Sequence, residues 1–481
     1  MPRLSDRTLT QARNGAWSGA YDRAGVQVGV AHLGPGAFHR AHQAPAFDAL
    51  LHVDPRCGVC EIALKSDRVR QALAPQDGLY TLVELEAEPQ VRIVGAVKAL
   101  LTAADAPEAA LARLAYVGTR MITLTVTEKG YCLTPAGELD LAHPDIAADL
   151  ARPAAPTSAV GWLAEGLRRR KAGGGGGLPI VSCDNLTDNG GKLGRAVATL
   201  AQAQGDVDLA GWIDDEVRFP ATMVDSITPA TDDALRKRVR AATGLDDAWP
   251  IQRERFTQWV IEDRLGPGAP DLASAGVQLV ADVRPFEQAK LRLLNGGHSS
   301  LAYLGLLAGL ATVAEAMAEP ALAGFVERLM RADIAPSLTE AAGLDLAAYI
   351  DSILARFRNP AIAHQLAQIA WDGSQKLPIR LLGTVADALA AGRPVDRLAI
   401  PVAAWMVFVA RRVRSGEPLV DPMAKVVAAI AAAPPARQPD LFLAMDAVFP
   451  PALAADRRFR EPIKAAHRAL TEDRLPDLLA R

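Results

Sequence analysis

The 481-residue chain carries 52 Lys+Arg against 55 Asp+Glu, a formal net charge of −3 and a pI near 6.3. Such a balance leaves no basic footprint for nucleic acid. Half the residues are hydrophobic but only 5% are aromatic. Alanine and leucine therefore carry most of the apolar surface, which favours helices over an all-β architecture. The length allows two or three domains with sizeable cores. No apolar run reaches membrane-spanning length and the N-terminus lacks an apolar leader segment, so a cytoplasmic protein is expected. Four cysteines are too few for a disulfide scaffold, and Cys57 and Cys60, within an apolar strand-like run, read as buried thiols.

Residues 26–33 read as a buried strand, followed by Gly34-Pro35-Gly36-Ala37-Phe38-His39-Arg40 and an apolar-periodic helix from about His42 to Leu51. Strand, glycine turn and helix form the setting in which backbone N–H groups and a helix N-terminus hold a pyrophosphate. The G-x-G-x-x-G fingerprint is incomplete, because His39 stands at its third glycine and Pro35 offers no N–H. A plain tight turn is the alternative. A second strand near 58–64 ends at Asp67, placed either to accept from an adenosine ribose or to cap a helix, while Lys65 and Arg68 beside it could instead tolerate a 2′-phosphate.

Residues 79–85 and 91–97 read as a strand pair, 104–115 as a helix, 121–126 as a strand running into Thr127-Glu128-Lys129-Gly130-Tyr131, and 157–171 as a helix. The five glycines 173–177 read as a flexible linker before a strand that delivers Cys183-Asp184-Asn185 to its C-terminal end, where open α/β sheets bind ligands. Residues 219–225 deliver Asp225 in the same manner. Beyond residue 280 the texture becomes long alanine/leucine helices, predicted near 299–317, 321–333, 337–357, 361–370, 380–391, 401–413, 423–433 and 462–479. The expected organisation is α/β plus α: a Rossmann-type dinucleotide-binding domain over 1–280 and a mainly helical substrate-binding and catalytic domain over 281–481.

Residues 285–300 place Glu287, Lys290, Asn295 and His298 on a leucine-rich helical pattern. At 100° per residue Lys290, Leu294 and His298 share one stripe, with Gly296-Gly297 expected to interrupt the helix. A lysine with apolar neighbours can serve as a base; a surface lysine with its stem laid over leucines is the plainer reading.

Several blocks together resemble the long-chain polyol dehydrogenase family: 32–44 (HLGPGAFHRAHQA), 125–131 (TVTEKGY), 182–189 (SCDNLTDN), 219–231 (FPATMVDSITPAT), 259–264 (WVIEDR), 290–305 and 372–378 (DGSQKLP), in the family's order. The resemblance implies metal-independent, NAD-dependent oxidation of a secondary alcohol. Lys290 matches the general base, Asn185 and Asn295 the amides on the reacting oxygen, His298 a substrate-positioning group and Glu287 a carboxylate linked to proton exit. Leu33, Gly34, Pro35, Gly36, Ala37, Phe38, Asp67, Glu128 and Asp225 are the expected cofactor contacts. Asn185, Asp225, Lys290, His298, Lys376 and Arg380 are the expected substrate contacts. No clustered His/Cys/Asp set for a metal is apparent in the sequence.

Several blocks are more similar to the fructuronate reductase branch of that family than to its mannitol branch. The implied reaction is interconversion of D-fructuronate and D-mannonate, with a mannitol or other polyol 2-dehydrogenase as the alternative. The expected partner is a small sugar acid or polyol, with no nucleic acid or membrane, and the expected state is a monomer or small homo-oligomer. A cofactor-binding relative without catalysis would have lost the Lys290, Asn295 and His298 set, which is intact here.

Overall fold

A computed structural model describes residues 1–480, and the chain falls into two compact units, Met1–Arg284 and Pro285 onward. At the centre of the first unit lies a five-stranded parallel sheet built from β1 (Val28–Leu33), β2 (Gly58–Ala63), β5 (Val97–Thr102), β6 (Met121–Leu124) and β7 (Ile180–Ser182), in the order β5-β2-β1-β6-β7. Successive residues point to opposite faces of a strand, and both faces here are apolar. Val30, Val59, Met121 and Val181 enter one core, while Ala31, Cys60, Ile122 and Ile180 enter the other. Helices cover both sides, which is the Rossmann-type arrangement the sequence implies.

Strand order reverses on either side of β1, so the crevice beyond its C-terminal end is the switch point where such sheets bind ligands. Two small sheets complete the unit. One is β4 (Gln90–Val94), β3 (Tyr80–Leu85) and β9 (Ile251–Glu254); the other is β11 (Gln278–Val280), β10 (Gln258–Glu262) and β8 (Thr222–Asp225).

Several local expectations change. Residues beyond the expected 91–97 strand form a further strand of the main sheet, β5, and the helix expected over 104–115 begins at Pro107. The helices expected over 337–357 and 361–370 are confined to Leu346–Phe357 and Leu366–Ile369. Gly173–177 is not a flexible linker. The segment lies inside one unit: buried Arg170 donates to Gly176 O at 2.7 Å, and a Cβ on Gly177 would sit 1.9 Å from Glu216 O, so Gly177 is held by close packing. The helix predicted over 299–317 ends at Leu307, and a new one, Val313–Ala318, starts under a Thr312/Glu315 capping box.

The second unit is helical. Its longest helix, Asp396–Ser415, packs on Arg457–Thr471 and Gly296–Leu307. Among the described residues, no helix is long and apolar enough to cross a membrane.

Candidate active site

In the first unit the chemistry gathers at the end of β1. Gly34 has φ +86°, and a Cβ there would lie 2.4 Å from Thr125 O, so the position accepts only glycine. Gly36 is different: nothing of the protein lies nearer than 3.9 Å to its hypothetical Cβ, which leaves room for a ligand to approach the backbone. The Gly36 N–H donates to Gly34 O at 2.7 Å, and the short helix Ala37–Ala41 starts immediately after it. Its first-turn N–H groups have no intrahelical acceptor, an arrangement suited to an anion.

His39, at the position of the missing third glycine, does not enter that space. It is fully buried, stacked on His32 with ring centroids 3.4 Å apart and planes 11° from parallel. His32 is fixed in turn by Thr123 Oγ1 at 2.8 Å and Thr125 Oγ1 at 2.9 Å. Glu61, opposite His32 on β2, lies 3.4 Å from His39 Nε2. Burial drives both imidazoles well below their usual pKa, and it pushes the Glu61 carboxyl up to about 6 against the pull of Arg40 and His32. At that separation, with His39 uncharged, the contact is not an ion pair at neutral pH. The third glycine normally permits close helix–strand packing; here aromatic stacking sets that spacing.

Asp67 sits past the end of β2, and its carboxylate accepts from Arg70 (2.6 and 2.8 Å), Gln71 (3.1 Å) and Thr102 (2.7 Å). The Arg70 guanidinium, first among these, holds its pKa below the usual carboxylate range. The result is an ionised acceptor fixed in place by its own neighbours. Glu128 and Asn185 are exposed beyond β6 and β7, and Asp225 closes β8 at 5% exposure.

Sequence reasoning passed over two residues that hold this group together. Asp184 accepts from Val126 N (3.0 Å), Thr127 N (2.9 Å) and Tyr131 Oη (2.7 Å). It thereby secures Thr127 at φ +68°, a strained value for a β-branched residue, next to Glu128. Asn189 joins β7 to β8, accepting from Thr222 N at 2.9 Å and donating to Ser182 O and Thr222 O. An acid and an amide after a strand resemble ordinary turn formers, so the only signal was their position.

In the second unit, Glu287, Lys290, Asn295 and His298 lie on one continuous helical run. Arg284–Ala289 is α-helical, Lys290–Asn295 is a π-helical turn, and Gly296–Leu307 resumes the α-helix. The glycine pair therefore does not interrupt the helix. A Cβ on Gly296 would lie 2.8 Å from Arg380 O, and one on Gly297 2.2 Å from Met330 Cε, so close packing is their reason.

His298 is 7% exposed, stacked on Phe357 at 4.2 Å and edge-on to His364 at 5.1 Å; its Nε2 has no protein partner. Burial, then the neighbouring His364, keep it neutral. Arg380 donates to Ser299 Oγ at 3.0 Å and is largely buried, which lowers its pKa. Lys376, its pKa lowered by burial and then by Arg380, donates to Ile369 O at 3.3 Å. Buried Tyr303 Oη has no partner. Two desolvated cations beside a neutral imidazole and a phenol make an anion-accepting, hydrogen-bonding surface. Three side chains that the sequence did not bring together, Cys132, His143 and Asp145, also converge in the first unit.

Fold and site define a dinucleotide-binding unit followed by a helical unit bearing a lysine and amide on one turn. Residues 28–274 match the mannitol dehydrogenase Rossmann domain and residues 282–471 the mannitol dehydrogenase C-terminal domain. The chain belongs to the mannitol dehydrogenase family. It is 43% identical over 432 residues to the D-mannonate oxidoreductase of Escherichia coli K12, covering 88% of each. Among solved structures, it is similar to Pseudomonas fluorescens mannitol 2-dehydrogenase in a ternary complex with NAD and D-mannitol (TM-score 0.83, 35% identity, 99% of both chains). It also matches a substrate-free D-sorbitol dehydrogenase (TM-score 0.92, 32% identity, 99% of this chain and 100% of the other).

Proposed function

We propose that this chain interconverts D-fructuronate and D-mannonate. The coarser statement stands on family membership: it is an NAD-dependent oxidoreductase of secondary alcohols in sugar acids or polyols. When bound, NAD supplies the hydride acceptor, or NADH the donor. The protein's own residues handle the proton and the substrate.

In this reading Lys290 takes the hydroxyl proton as hydride leaves the carbon, and returns it in reduction. Asn185 and Asn295 donate to the reacting oxygen, stabilising alkoxide character without competing for the proton. Asp225 and His298 orient neighbouring hydroxyls, and Glu287 passes the proton onward. Leu33–Phe38, Asp67 and Glu128 hold the dinucleotide.

The observation that carries the sugar-acid choice is Arg380. Its guanidinium is largely desolvated, and its hydrogen-bond partners are the neutral oxygens of Ser299 and, at 3.5 Å, Asn295. A buried guanidinium held by neutral oxygens is completed by a carboxylate, which a uronate has and a polyol lacks. The 43% identity to a D-mannonate oxidoreductase supports the same choice. The 35% identity to a mannitol 2-dehydrogenase favours a second reading, oxidation of mannitol or a related polyol at C2. Steady-state reduction of D-fructuronate and D-fructose with NADH separates them. A kcat/KM at least about a hundredfold higher for fructuronate is expected from one well-placed buried ion pair; a preference for fructose establishes the second reading.

A further inference from the structure

The chain beyond the 128–131 turn carries three side chains that the proposed reaction does not use. Cys132 turns the backbone in the left-handed region at φ +53°. A small hairpin follows, with Leu133 bridged to Leu139 and Thr134 N donating to Glu138 O at 2.8 Å. Its return strand closes on the cysteine through Asp140 N donating to Cys132 O at 2.9 Å. The helix Pro144–Ala151 begins just beyond, with His143 as its N-cap and Asp145 in its first turn. Cys132 Sγ, a His143 ring nitrogen and an Asp145 carboxylate oxygen come within 4.8 Å of one another as a result. An open cavity of about 410 Å³, walled by Glu128, Thr134, Leu186 and Lys192, is lined on one side by Cys132 and His143.

We propose that Cys132, His143 and Asp145 form a binding site for a thiophilic divalent cation such as Zn²⁺, with its fourth coordination position open to the cavity. Thiolate, imidazole and carboxylate are the donors zinc takes, and three protein ligands with one open position is an established tetrahedral pattern. Ligand atoms around tetrahedral zinc lie roughly 3.3–3.8 Å apart, from its bond lengths of about 2.0–2.3 Å. The trio must close by about an ångström.

Each ligand is held loosely enough to do so. Cys132 Sγ has only a 4.0 Å contact with Gly130 O. His143 Nδ1 accepts a long 3.2 Å bond from Asp145 N, and that lone pair would pass to the ion. Asp145 shares Oδ2 with exposed Lys65 at 3.2 Å, an ammonium that a divalent cation displaces.

Carboxylates dominate the surroundings of the thiol: Asp140, Asp145 and Asp149, against the opposing charge of Lys65. The cavity wall adds Glu128 on one side and Lys129 and Lys192 on the other. Burial, then these carboxylates, push the Cys132 thiol up to about 11. The ion would bind thiolate and expel one proton. Nothing is oxidised or reduced. The ion would pin the hairpin to the helix behind it.

The test is Co²⁺ titration of the full-length, chelator-washed protein, followed by absorption. Expected is about one Co²⁺ per chain with a near-ultraviolet thiolate-to-cobalt band. The band is lost in Cys132→Ser, persists in Cys57→Ser, and needs at least about tenfold more Co²⁺ in His143→Ala, as for loss of a ligand-level contact. Absence of the band at millimolar Co²⁺, or its survival in Cys132→Ser, overturns the proposal. Should Cys132→Ser not fold, His143→Ala decides, and an unchanged titration there overturns it equally.

Discussion

Lys290 and Asn295 stand at the two ends of a π-helical turn, five residues apart. A π turn closes i to i+5, so it is Asn295, rather than Leu294, that comes round above Lys290. Leu294 is only 3% exposed and faces the core, as it must if the extra residue has rotated the polar pair together. Single π turns inside α-helices recur at functional sites for this reason. In the proposed reaction, a base and an oxygen-holding amide on one rigid turn would be pre-set for the same substrate atom.

If Lys290 is the base, Lys290→Ala lowers kcat by about 10³-fold, within the usual range for general-base catalysis. NADH affinity, read by fluorescence titration, should stay within about threefold, because binding involves other residues. Asn295→Ala should lower kcat by about 10²-fold, as for one oxyanion donor. Turnover near wild type in Lys290→Ala would reassign the base.

Asp67 sets the second prediction. Its carboxylate is ionised and fixed by Arg70 and Thr102, so a 2′-phosphate would arrive against an immobile negative charge. The chain should favour NAD over NADP by at least about a hundredfold in kcat/KM. Asp67→Ser frees Arg70 to meet a phosphate and should narrow that preference at least about tenfold. Equal use of both cofactors by the wild type would remove Asp67 from the site.

Much of this was legible in the sequence because backbone requirements leave residue signatures. Gly34 after an apolar strand, Asp67 after the next, and Lys290 with Asn295 and His298 all stood out. What stayed hidden depended on long-range packing. The strand β5 has the composition of a helix and is a strand because β2 pairs with it. The π turn has no compositional mark, so a regular 100° period put Leu294 on the wrong face. His39 broke the glycine fingerprint on paper, but its partners His32 and Glu61 lie on two different strands. The convergence of Cys132 with His143 needed a hairpin that periodicity does not reveal.

The buried pair His32 and His39 makes stability fall in mild acid. Both are held neutral in the folded state, whereas unfolded imidazoles titrate near ~6.5. As pH falls below about 6.5 the unfolded chain takes up protons that the folded one refuses, costing up to about 1.4 kcal/mol per pH unit for each imidazole. Glu61 acts oppositely: raised to about 6, it contributes stability at low pH that is lost as pH rises through that value. It offsets about one imidazole between roughly pH 6 and 4.5. The melting temperature should therefore drop from pH 7 to 5, and His39→Gln should flatten the decline. A flat wild-type profile would mean that these imidazoles become protonated in the folded protein.

Arg380 is where substrate class can be read directly. Its guanidinium lies among Ser299, Asn295 O and Tyr303, and it lowers the pKa of nearby Lys376. A substrate carboxylate relieves that repulsion, so replacing one cation should weaken binding of the acid more than that of a neutral sugar. Arg380→Met is expected to raise KM for D-fructuronate by about 30-fold or more, equivalent to roughly 2 kcal/mol for a buried charged hydrogen bond. For D-fructose the change should be less than about threefold, because no charge pair is lost. Lys376→Met should act in the same direction but less strongly, since its point charge lacks the bidentate geometry of arginine. Equal losses for both sugars would make Arg380 a structural support of the helix around Asn295, and the carboxylate would then need another partner.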